Sequence, residues 1–155
     1  MDFINKIFEL DLGKLVPDMG LVLDYARLLV TVSVLIGPIL LLVLGLIYFF
    51  IPPKEANHKF GFRTYFGMGS VEAWQFTQKV GGLAFGGLGL ILLIIMLFVI
   101  GGFNGKDHFE MVNAAMIAML WQAGLALLVR LATAVLAAVL FDRHGNRRKG
   151  KKGSA

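Results

Sequence analysis

The sequence predicts an all-α membrane protein: three transmembrane helices, an N-terminal amphipathic interfacial helix and a structured cytoplasmic loop. Three observations predict it. Two stretches, 28–51 and 80–103, each run 24 residues without a charge, and a third apolar stretch lies within 112–141. The chain is 57% hydrophobic and only 16% charged, too apolar for an ordinary soluble domain. Its Lys and Arg residues are shared unequally between the two ends of those stretches, as they are in membrane proteins of fixed orientation.

Residues 1–27 come first. Ile4, Phe8, Leu12 and Leu15 recur at helical spacing, with Lys6 and Glu9 off that face. There is no basic start and no clean apolar core, so the segment is not a secretory signal. It reads as an interfacial helix ending near Pro17, or as a helix packed on the rest of the protein.

The first span, 28–51, is about 36 Å long as a helix, enough for a hydrocarbon core of about 30 Å with some tilt. Gly37-Pro38 interrupts its hydrogen-bond ladder and predicts a kink. Pro52-Pro53 stops it. The second span, 80–103, carries Gly82 and Gly86 four residues apart, which lets a neighbouring helix approach closely. That face suits internal packing or a homodimer seam. The third span, about 112–141, is longer than a bilayer needs. It holds Gln122 and Arg130, and Arg130 is the only charge deep in any span. An intramembrane arginine is by default functional, but a snorkelled one only reaches for lipid phosphate. Helix carbonyls, Gln122 and a water cavity are its other candidate partners. Residues 142–155 form a basic tail expected to be disordered and drawn to anionic lipid.

Between the first two spans lies the least generic stretch, 52–79. A connection between two helices needs only a few polar residues. This one carries two prolines, several aromatics, an Arg-Thr pair and a Trp. Gly61 permits a positive-φ turn between Phe60 and Phe62. Ser70 can cap a short helix that runs to about Lys79, with Glu72 in its first turn and Trp74 near the membrane surface. Arg63 has two readings: an anchor for a carboxylate, phosphate or peptide backbone, or a bond to loop carbonyls that holds the loop shut.

The candidate binding residues of this loop are Pro53, Asn57, Phe60, Gly61, Phe62, Arg63, Thr64 and Trp74. With Pro52, Ser70 and Gly82 they stand in an order and spacing that resembles the SdpI family of small bacterial membrane proteins, which includes YfhL-type members. Tyr65 stands where many relatives have Pro, and Gln78-Lys79 where many have Asn-Arg. The resemblance implies a non-enzymatic role in the bacterial plasma membrane: immunity against a secreted antimicrobial peptide toxin, signalling by capture of a cytoplasmic regulator, or both. The alternative reading is a small transporter or channel component, with Arg130 lining a polar path.

Orientation follows from the bases. With three spans, the loop and the C-terminus share one side and hold ten Lys and Arg, against four on the other side. The bias places the loop and tail in the cytoplasm and the N-terminus outside. No enzyme, cofactor or metal is expected. His58, His108 and His144 lack ligand spacing, there is no cysteine, and no nucleotide-loop or nucleophile motif occurs. The expected partners are the lipid bilayer, a peptide toxin and a cytoplasmic regulator. Direct nucleic-acid binding is not expected, since the basic tail has no aromatics to stack on bases. A homo-oligomer is left open.

Overall fold

The computed structural model describes residues 19–56 and 59–148. The proposed amphipathic helix before Met19, Asn57 and the tail beyond Arg148 lie outside them. Among the described residues three long helices make the fold: α1 (Met19–Phe50), α2 (Val71–Gly101) and α3 (His108–Leu140). Each is long and apolar enough to cross a membrane. Among the described residues there is no strand, only one isolated bridge between Phe141 and Arg147.

Two boundaries differ from the sequence reading. The first helix begins at Met19 rather than at 28, so Asp24 and Arg27 are carried on α1. The short helix expected after Ser70 is not separate: it runs without a break into the second span as α2. The reason is local. Ser70 caps at φ −151°, its hydroxyl oxygen accepting from the Ala73 N–H at 3.1 Å. From there to Gly101 no proline interrupts the ladder. Asp107 caps α3 in the same way, accepting from the Glu110 N–H at 2.7 Å.

The α1–α2 seam is made by the absence of side chains. A Cβ on Gly82 would lie 2.7 Å from the Phe49 nitrogen and 2.9 Å from the Gly45 carbonyl oxygen. A Cβ on Gly45 would fall on the backbone of Gly86. Gly82 and Gly86 are thus spent on packing within the chain, against a third glycine on α1. In lipid there is little hydrophobic force between helices, so such close approach and its dispersion contacts hold them together.

The α1–α3 seam works differently. Pro38 has no N–H, so the Val34 carbonyl loses the donor that a regular helix would supply four residues on. Gln122 on α3 supplies it instead, its Nε2 donating to Val34 O at 3.1 Å. Gln122 is only 4% exposed. In a bilayer a freed backbone carbonyl has no water to turn to, and a neighbouring helix is the usual remedy. Val34, Leu41, Leu92, Met96, Phe103 and Met111 form the core, displaced toward the α2–α3 turn. Most other large apolar side chains face outward, as lipid-facing residues must.

Candidate functional site

Loop residues 52–56 and 59–70, the first three turns of α2 and residues 141–148 close the loop side of the bundle as a folded cap. Gly61 makes the central turn, with φ +119°, a region that L side chains rarely adopt. Its Cα also faces a wall: an added Cβ would meet Gln78 Oε1 at 2.7 Å and the Trp74 ring at 2.8 Å.

That turn delivers Phe62 inward. Gln78 grips its backbone twice: the Phe62 N–H donates to Gln78 Oε1 at 2.8 Å, and Gln78 Nε2 donates to Phe62 O at 3.1 Å. Gln78 thereby does for an irregular loop what a neighbouring strand does for a sheet edge. The Phe62 ring lies on Gly81, edge-on to Phe85 at 4.6 Å and to Tyr48 at 5.3 Å. Tyr48 also meets Phe60, at 5.1 Å.

Trp74 is fully buried, 0% exposed, and its Nε1 donates to Pro53 O at 2.8 Å. It is the centre of the cap, because the loop folds over it. Thr64 is also buried, its hydroxyl accepting from the Gly67 N–H at 3.0 Å. Arg63, between buried Phe62 and buried Thr64, is exposed, as is Tyr65 at 73%. The structure therefore gathers Pro53, Gly61, Phe62, Thr64 and Trp74 into one packed unit and turns Arg63 outward. Asn57 falls outside the described residues.

Two contributors were missed from sequence. Gln78 was noted only as a departure from the family pattern. The second is the start of the tail. Residues 141–148 are not free chain: they turn back tightly, with Asp142 N donating to Asn146 O at 2.9 Å and Arg148 N to Leu140 O at 2.8 Å. Ser70 Oγ donates to Gly145 O at 2.7 Å, pinning this turn to the start of α2. Phe141 packs on Phe76 at 5.4 Å. The turn is organised by Asp142, whose Oδ1 accepts from the backbone N–H groups of Asn146 at 2.8 Å and His144 at 2.9 Å. The Asn146 N–H above all holds this carboxyl below the usual carboxylate range, against an opposing effect of desolvation.

The other proposed polar residues lie elsewhere. Gln122 does not meet Arg130; its amide is engaged by Val34. Arg130 is exposed and makes no hydrogen bond or ion pair among the described residues. The cleft between α1 and α3 holds about 390 Å³ and is lined mainly by apolar side chains, so it offers no continuous polar path. Among the described residues no group of His, Asp or Glu could hold a metal.

Three membrane-length apolar helices with a folded loop closing one end define a small multi-pass membrane protein. Residues 54–141 match the SdpI/YfhL protein family, and the chain belongs to that family. No curated protein and no solved structure matches it.

Proposed function

We propose that this protein is a bacterial plasma-membrane immunity and signalling protein, which intercepts a secreted peptide toxin in the membrane and captures a cytoplasmic regulator on its cap. Family membership supports the class of role. One observation carries the reading to particular residues: the cap is packed inward around Trp74 and Phe62, yet presents Arg63 and Tyr65 outward on the same short segment. A loop that only joined two helices would not need a buried framework of this kind. A rigid frame with an exposed planar guanidinium and an exposed aromatic ring is suited to a protein surface, where Arg and Tyr are enriched. The ten-to-four base count supports a cytoplasmic cap.

The test is expression in a toxin-sensitive bacterium challenged with secreted antimicrobial peptides. The wild type is expected to protect. Arg63→Ala and Tyr65→Ala are expected to insert in the membrane while losing regulator capture, and Tyr65→Ala is expected to melt like wild type. Full capture by both variants would remove the cap surface from the mechanism. Orientation is tested on the naturally cysteine-free chain. A cysteine replacing Tyr65 should be shielded from an impermeant thiol reagent in intact cells, and one replacing Lys106 should react. The reverse pattern would move the cap outside.

A further inference from the structure

Two adjacent residues in the middle of α3 each hold an unused hydrogen-bonding group. Gln122 spends its amide N–H on Val34 O, and among the described residues nothing donates to its Oε1. That oxygen lies over Gly37, where an added Cβ would collide with it. Gly37 and Gln122 both line the cleft between α1 and α3. Among the described residues no sealed side-chain oxygen is left unpaired, so this one, on a residue only 4% exposed, opens on the cleft. Its neighbour Trp121 is 69% exposed on the outside of the bundle, and its Nε1–H donates to nothing among the described residues.

Depth makes both groups costly. Gln122 stands roughly 21 Å along the axis from the start of α3 and roughly 27 Å from its end, while half of a hydrocarbon core is about 15 Å. Water does not serve at that depth, and an acyl chain has nothing to donate or accept. Trp is otherwise enriched at membrane interfaces, where its N–H finds water. The other side-chain hydroxyls at this level of α1, on Thr31 and Ser33, already donate to Arg27 O and Leu29 O. Arg130 is about 12 Å further along α3. Trp121 is therefore the donor left over at the depth of the leftover acceptor.

Within one chain the two cannot meet. At about 100° per residue, Trp121 lies on the opposite side of α3 from Met119, Ala123 and Ala126, which wall the cleft. Between chains they can. Copies of a membrane protein insert in the same direction, so Trp121 of one stands level with Gln122 of the next. A dry cavity of about 150 Å³ takes a benzene ring, and the cleft, at about 390 Å³, has room for an indole. We propose that the protein forms a head-to-tail homo-oligomer in the plane of the membrane. The Trp121 indole of one copy enters the α1–α3 cleft of the next, and its Nε1–H donates to Gln122 Oε1. Both unused groups are then paired. Because the donor and acceptor faces lie on opposite sides of α3, the contact is not two-fold; repeated about an axis along the membrane normal, it closes a ring. The interface is separate from the cap, and the proposal does not depend on the immunity reading.

The test counts subunits of the full, fluorophore-labelled chain by photobleaching in phosphatidylcholine vesicles, with chance co-occupancy subtracted. The wild type is expected to form oligomers. Trp121→Phe keeps a ring and removes the N–H, and its dissociation constant should rise by about threefold to tenfold. Trp121→Ala, and Ala123→Phe, which fills the cleft, should each be monomeric; Ala126→Leu replaces the second if it melts early. Mixed together, these two variants should form dimers and nothing larger, because the Trp121 of one still fits the open cleft of the other. Ile91→Ala, exposed on α2, should assemble like the wild type. The proposal falls if the wild type is monomeric, including a monomer whose cleft carries a co-purified apolar molecule in native mass spectrometry. It also falls if Trp121→Phe, Trp121→Ala or both cleft-filling variants assemble as tightly as wild type, if the mixture stays monomeric, or if Ile91→Ala loses as much as Trp121→Ala.

Discussion

The two ends of the bundle are built on different terms. On the loop side, three separate pieces of chain are tied by side chain-to-backbone bonds: Gln78 to Phe62, Trp74 to Pro53, Ser70 to Gly145. At the opposite end, α2 and α3 are joined by a short turn that ends in the Asp107 cap, with the Arg27 guanidinium donating to Phe103 O. The far turn only reverses the chain, and a few polar residues suffice. The loop-side cap spends buried aromatics and amides on holding one shape, which is the investment expected where a surface must be presented to something else.

Each end contains a positive-φ glycine, and these give the sharpest way to break the comparison. Gly61 has φ +119° and faces Gln78 and Trp74; Gly105 has φ +85° and no atom within 4 Å of an added Cβ. Gly61→Val should cost roughly 3 kcal/mol or more, from unfavourable backbone and overpacking together. Gly105→Ala should cost about 1 kcal/mol, from the backbone alone. Melting temperatures in detergent measure both. Similar losses at the two sites would mean that the cap is no more tightly built than the turn.

A smaller contrast compares the two polar clasps. Gln78→Leu leaves the Phe62 N–H and C=O unpaired in a buried site, a loss of about 1–3 kcal/mol. Arg27→Met at the far end should cost about 1 kcal/mol or less. Phe103 O also accepts from the Lys106 N–H at 3.3 Å and is not orphaned. Should Arg27→Met prove the more damaging, the far turn would be the structural clasp of the bundle and the cap its dispensable end.

What could be read from sequence divides along the same line. The three spans were legible because an uncharged run of bilayer length has few other uses, and the Gly61 turn because an aromatic-Gly-aromatic step invites positive φ. The tertiary partners were not legible. Nothing local marks Gln78 as the residue that clasps Phe62, sixteen positions earlier, or Gln122 as the donor that repairs the Pro38 gap. A proline in one span and a lone amide in another are the signal that could have suggested the second pair. The tail was read as disordered from its charge, but Asp142, Gly145 and Asn146 are turn residues, and a composition argument averages over them. Arg130 was read as an intramembrane charge, but its outward face depends on where α1 sits.

The smallest expected effect tests whether the 141–148 turn belongs to the cap by its own chemistry or is merely laid against it. Asp142 accepts the Asn146 and His144 backbone N–H groups most strongly when ionised, and its folded-state carboxyl titrates below the ordinary value. A group depressed in this way stabilises the turn above its unfolded value, about 3.9 for Asp. The contribution is lost as pH falls through the still lower folded value. The Asn146 and His144 amide protons should therefore be protected from exchange at neutral pH and exposed in acid, while the core of α3 stays protected throughout. Asp142→Asn should show the acid behaviour at every pH, because a neutral amide is a weaker acceptor. Global melting should barely move, since the carboxylate is at the surface and only the turn depends on it. If the Asp142→Asn amides are as protected as wild type at neutral pH, the backbone bonds of the turn, the Ser70–Gly145 contact and the Phe141–Phe76 packing hold it in place without the carboxylate. The C-terminal segment would then belong to the cap through packing rather than through its own charge.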